Sequence, residues 1–257
     1  VKETKVSRVD PDSGYMVRDG KPRGFFYLDH RTVDGKVGII TDTFASPGNV
    51  HDSIVYLGRL DRQRERFALP VTAVGLDAGY ASAGIAKGLE DRAILGVTGY
   101  RTPNPPKPGM MRKSQFIYEA ERNGYRCPQG QLLAYATTDR SGYRQYASDP
   151  ALCSTCPLLA SCTRSADNRR VITRHVWHEA RERTDANRLT PYGKLIYKRR
   201  KETVERSFAD AKQLHGHRYA RFRTLTRVAC QCLLAAAAQN IKRIATLMAP
   251  AYRSAAA

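Results

Sequence analysis

The stretch "VTAVGLDAGYAS" at residues 71–82 decides how the chain is read. Two β-branched valines lead an apolar run that stops at Asp77, and Ala78-Gly79-Tyr80 follow at once. A short apolar run closed by turn residues reads as a buried strand. An aspartate at its carboxyl end is either a turn-former or a functional carboxylate set at the rim of a sheet. Gly79, with no Cβ, lets the backbone turn sharply after it.

Working outward, "GFFYLDHRTV" and "KVGIITDTF" flank Asp34-Gly35, two β-rich runs around a strong hairpin signal. "SPGNVHDS" (46–53) is a turn able to start a helix, with Asn49, Asp52 or Ser53 as candidate caps. "SIVYLGRLDRQRERF" then spaces Ile54, Leu57 and Leu60 as one helix face. A second helix is expected from about Ser82, and "AILGVTGY" reads as another buried strand. The order strand, strand, helix, strand, helix, strand predicts a mixed α/β sheet with helices on its faces. In such sheets functional groups gather at the carboxyl ends of strands, where Asp77 sits.

The chain has 257 residues, 42% of them apolar, and a net charge of +19. That is a globular composition with more positive charge than solubility needs, and it suits a polyanion such as nucleic acid. Residues 164–223 hold 17 Lys or Arg against 7 Asp or Glu, a basic stripe of the kind that meets phosphates. No apolar run is long enough for a membrane span, and no secretion signal is visible. Residues 1–23 read as a linker, 24–100 as the first part of a core and 101–173 as a β-rich insertion entered through a proline-rich connector. Residues 174–250 read as a helical return, and 251–257 as a tail. In the return, Thr190-Pro191 starts a long helix through "YGKLIYKRRKETVERSFADAKQL". "RVACQCLLAAAAQNIKRIATLM" is a second helix, apolar nearly all round and expected to be buried.

Cys127, Cys153, Cys156 and Cys162 fall in the insertion, the last three within "CSTCPLLASC". A Cys-x2-Cys pair with two further cysteines suits a tetrahedral Zn2+ site, and a set of reduced thiols stays open beside it. Cys230 and Cys232 read as small core residues. Trp177, near His175 and His178, could stack on a base or fill a core. His30 and His51 read as hydrogen-bonded structural residues.

Within "ETVERSFADAK" (202–212), Val204, Phe208 and Ala211 form a packing stripe with Glu205 at its edge. Lys212 lies two turns on, and Arg199, Arg200 and Arg206 surround the glutamate. Arg218, Arg221 and Arg223 in "HRYARFR" interleave with aromatic residues, a pattern that suits phosphate contacts. Taken in order, "SPGNVHDS", "GLDAGYAS", "ETVERSFADAK" and "RFRTLTRV" with "AAAAQNIKRI" resemble the DDE transposases of bacterial insertion sequences. The cysteine-containing insertion is similar to one subgroup of that family.

The resemblance implies an RNase H-like fold and metal-dependent DNA cleavage and strand transfer at element ends. It makes Asp77 and Glu205 two of three catalytic carboxylates holding Mg2+ or Mn2+, and Lys212 a DNA contact. It places the first carboxylate on a strand upstream of Val1, and leaves Asp29 and Asp42 as structural aspartates. It also implies double-stranded DNA as partner, a homodimer or larger assembly on DNA, and a bacterial cytoplasmic, nucleoid-associated setting. The alternative is a remnant that binds DNA without cutting it.

Overall fold

The computed structural model describes residues 5–17, 20, 22–100 and 107–255, the side chains of 250–255 excepted. Most of the proline-rich connector lies outside the described residues. The fold is a mixed α/β arrangement of helices and several sheets. It divides into two compact units, one of residues 1–100 with 184–257 and one of Arg101–Arg183. No described helix is long and apolar enough to cross a membrane.

The first unit opens with β1 (Gly14–Met16), inside the stretch that reads as a linker. It pairs antiparallel with β2 (Gly24–Val33), which pairs in turn with β3 (Ile40–Pro47). The β2–β3 hairpin turns at Asp34, whose carboxylate accepts from the amides of Lys36 and Val37 at 3.0 and 2.6 Å. Helix α1 (Asp52–Phe67) follows. Its cap is His51, whose Nδ1 accepts from the Ser53 amide, because the turn after Pro47 leaves that ring facing the first open amide. Asn49, Asp52 and Ser53 are therefore not the cap. Ile54 is exposed, while Leu60 is buried.

The parallel pair β4 (Ala73–Leu76) and β5 (Leu95–Thr98) brackets α2 (Ala83–Glu90). Ser82 caps α2 by accepting from the Ile85 amide at 3.3 Å. Leu60, Leu76, Ile85, Leu89 and Ile94 form the core between these elements. Burying a leucine or isoleucine of this kind stabilises the fold by about 1.5–3 kcal/mol.

The second unit is an antiparallel meander of β6 (Ile117–Glu119), β7 (Gly124–Arg126), β8 (Leu132–Thr138), β9 (Tyr143–Ala147) and β10 (Val171–His175). Two short helices, α3 (Pro150–Ser154) and α4 (Leu159–Cys162), lie between β9 and β10. Tyr146, with no exposed surface, sits edge-on to Tyr125 and Tyr118 at 5.2 and 5.9 Å between ring centres. Its hydroxyl donates to Asn123 Oδ1 at 3.0 Å, which satisfies the one polar atom that the core buries with the ring.

Helix α5 (His178–Asn187) leads back into the first unit. Thr190 caps α6 (Pro191–Arg200) by accepting from the Gly193 amide at 3.0 Å. The expected single long helix is not uniform. Lys201–Glu205 form a π-helical turn before α7 (Arg206–Leu214) continues. One extra residue in the turn lets α6 pack on β4 and β5 and α7 pack on the last helix, α8 (Leu225–Ala255). α8 is not buried all round: Val228, Cys232, Ala235 and Ala236 face inward, while Leu233, Leu234 and Ile241 are exposed. Cys230 is exposed as well, because i and i+2 on a helix point to different sides.

Candidate functional site

β4 delivers Asp77 to the end of the parallel pair. Asp77 is exposed and serves as a turn-former: its Oδ1 accepts from the Gly79 amide at 2.8 Å at the start of a 3-10 turn over Ala78–Tyr80. That uses one oxygen, and Oδ2 has no partner among the described residues. Gly79 does not adopt a left-handed backbone, so the turn itself does not demand glycine. What glycine gives is room. A Cβ there would stand 3.0 Å from Asp77 Oδ1 and 3.4 Å from Asp52 Oδ2.

Two carboxylates therefore flank the same backbone position, and the second is Asp52, in the first turn of α1. His30 Nδ1 lies 3.6 Å from Asp52 Oδ1, and His30 Nε2 is 2.7 Å from Ser46 Oγ. Sequence reasoning weighed Asp52 only as a helix cap. The signal that it belongs to the site is its place on a helix start that follows the hairpin, next in the chain to the strand ending at Asp77.

Tyr80 joins these groups to the helical side. Burial pushes its hydroxyl well above the ordinary tyrosine value, the charges of Asp52 and Asp77 push the same way, and Arg200 opposes them. Arg200 is held by α6: a Cβ on Gly75 would lie 3.3 Å from its Cγ, so glycine on β4 lets the arginine stem cross the strand. Its guanidinium stacks 5.1 Å from the Tyr197 ring centre and comes 3.5 Å from Glu205 Oε1. Glu205 closes the π turn with about half of its side chain exposed. Asp52, Asp77, Tyr80, Arg200 and Glu205 thus form one connected neighbourhood. Arg200, expected on DNA, is 13% exposed and occupied by these contacts.

The remaining basic candidates are open to solvent. Arg199, Lys212, Arg218, Arg221 and Arg223 are exposed, and Arg206 makes only a loose pair with Asp210 at 3.9 Å. In the other unit, Trp177 is 45% exposed and lies 5.3 Å from His175, so it does not fill a core.

The hairpin aspartates have structural partners. Arg59 binds both oxygens of Asp42. Asp29 accepts from Arg31 Nε at 2.8 Å and Thr43 Oγ1 at 2.7 Å, and pairs with His217 Nε2 at 2.9 Å. Burial would raise its pKa, but His217, Arg31 and Thr43 together hold the carboxyl below its ordinary range. Arg31 continues to Ser207 Oγ at 3.0 Å and stacks on Phe208. Both follow Glu205 on the same helix, so this network ties the glutamate's helix to β2. Cys232 lies 3.9 Å from His217, and burial with the nearby Asp29 charge pushes its thiol up to about 12. Asp29, His217 and Cys232 are the only three donor groups within 4.8 Å of one another among the described residues. Arg31 already neutralises this aspartate, which disfavours a cation there.

Comparison with known proteins gives one likeness, over part of the chain. Residues 126–245 match the family model described as "Transposase DDE domain". That stretch is therefore similar to a transposase DDE domain. The matched stretch contains the four insertion cysteines, Glu205 and Lys212; Asp52 and Asp77 precede it. No curated protein and no solved structure matches the chain.

Proposed function

We propose that the chain is the catalytic part of an insertion-sequence transposase with an RNase H-like fold, cutting and joining double-stranded DNA at element ends. One observation carries the reading. The strand-end Asp77, with an oxygen free of protein partners, shares a neighbourhood with Asp52, Arg200 and Glu205, in a chain whose later half matches the transposase DDE domain.

Asp77 and Glu205 fit a hard divalent cation, because both are solvent-accessible carboxylates and oxygen is the donor that Mg2+ and Mn2+ prefer. A cation bound there would activate the attacking oxygen and steady the leaving one during phosphoryl transfer. The residues themselves do the positioning. The Gly79 amide fixes one Asp77 oxygen and turns the other outward. Arg200 orients Glu205 and offsets part of the carboxylate charge around Tyr80. Lys212, Arg199, Arg206, Arg218, Arg221 and Arg223 offer exposed cations to the phosphate backbone.

The test is cleavage of element-end DNA by the intact protein with Mg2+ or Mn2+, wild type beside Asp77→Ala and Glu205→Ala. Cutting by the wild type alone supports the assignment. Undiminished cutting by either variant removes that residue from it. Binding without cutting by the wild type in both metals indicates a remnant that only binds DNA.

A further inference from the structure

The four insertion cysteines have no part in the chemistry proposed above, yet the fold gathers them. We propose that Cys127, Cys153, Cys156 and Cys162 bind one structural Zn2+ ion through four thiolates.

All four are free thiols and line one cavity of about 30 Å³ within the meander unit. They reach it from three chain segments. Cys127 opens the turn between β7 and β8: its amide donates to Gln131 O and its carbonyl accepts from Gly130, each at 2.9 Å. Cys153 lies in α3, and the Cys156 amide donates to its carbonyl at 3.0 Å, so the pair spans one tight turn. Cys162 ends α4, where its amide donates to Leu158 O at 2.9 Å.

A second observation points to an anionic centre. Arg170 lines the same cavity, donates to Cys162 O at 2.8 Å and lies over Phe116. Its Nε is buried with no hydrogen-bond partner. A zinc ion held by four thiolates carries a net charge of two minus, which would compensate a half-buried guanidinium that has no carboxylate at salt-bridge distance among the described residues. The cavity wall is otherwise mostly apolar, with Phe116, Leu133 and Leu152 in it, and this excludes competing water ligands.

The sulfurs stand wider than in a closed tetrahedral centre, since no three of them fall within 4.8 Å of one another. Zn–S bonds of about 2.3 Å therefore require the β7–β8 turn and the two short helices to draw together. Binding releases the four S–H protons to solvent, so zinc affinity falls as the pH is lowered.

The experiment is metal analysis of the whole chain, purified under reducing conditions and without added metal. One zinc per chain, released by an organomercurial thiol reagent, is the expected result. Cobalt substitution should give thiolate-to-cobalt charge-transfer absorption with tetrahedral ligand-field bands. Cys156→Ser should lose most of the zinc, and Cys230→Ser should keep it. If Cys156→Ser does not fold, the cobalt spectrum of the wild type decides. Folded protein without stoichiometric zinc, a cobalt spectrum without thiolate bands, a disulfide among these cysteines, or iron with inorganic sulfide would each overturn the proposal.

Discussion

The unit of residues 1–100 and 184–257 and the unit of Arg101–Arg183 are held together in opposite ways. In the first, decisive contacts join residues far apart in the chain. Asn240 on α8 brackets the backbone of Ile40, accepting from its amide at 2.8 Å and donating to its carbonyl at 2.9 Å. Arg31 reaches Ser207 across 176 positions. In the second, each strand pairs with its neighbour in sequence, and the core tyrosines Tyr118, Tyr125 and Tyr146 come from β6, β7 and β9 of one sheet. The first pays a large loop-closure entropy and in return brings a strand end, a helix start and a distant helix to one rim. The second is built mostly by short hairpin closures, and its one long connection, from β9 to β10, carries three of the four cysteines.

The sharpest way to break this contrast is activity. Asp77→Ala or Glu205→Ala should lower metal-dependent DNA cleavage by about a thousandfold, the equivalent of ~4 kcal/mol, with the circular dichroism spectrum unchanged. Next come the two cores. Leu89→Ala in the first unit and Tyr146→Ala in the second should each cost about 3–5 kcal/mol in denaturant titrations, because both side chains are almost fully buried. A much smaller loss at either position would mean that core collapses around the cavity.

Asp29→Asn tests the long-range network by its pH dependence. The native carboxyl titrates below its unfolded value, so its stabilisation is complete above that value and is lost as pH falls through the lower, folded pKa. The variant should lose about 3 kcal/mol at pH 7, since Arg31 is left buried beside a neutral partner, and the gap from wild type should narrow below about pH 4. A gap independent of pH would deny the ion pair its role. The smallest effects are at helix starts. Ser82→Ala and Asp149→Ala, one in each unit, should each cost about 1 kcal/mol, read from thermal unfolding.

The sequence was most legible where geometry is local. Asp34-Gly35 marked the hairpin, Ser82 and Thr190-Pro191 marked helix starts, and the run ending at Asp77 marked the parallel strand. Less legible was whatever depends on distant packing. His51 as a cap needed the turn after Pro47. The exposed side of α8 could not be read from its apolar composition, since small residues alone suffice where it packs. Asp52 beside Asp77 and Arg200 against Gly75 arise only when α1, β4 and α6 meet, and no spacing in the chain encodes that meeting.

The π turn at Lys201–Glu205 has a consequence for insertions and deletions. An α-helix advances about 100° per residue, and the π turn takes up one surplus residue between α6 and α7 without that rotation. Deleting one residue from Lys201–Thr203 would let the turn relax to plain α-helix with its two halves still facing as they do. Ile196 and Arg200 would stay on β4 while Ser207 and Ala211 kept their places, whereas a deletion within α6 or α7 would turn one half against the other by about 100°. The turn thus behaves as a slack link in the shaft, the one stretch of this helix able to give up a residue without turning either end.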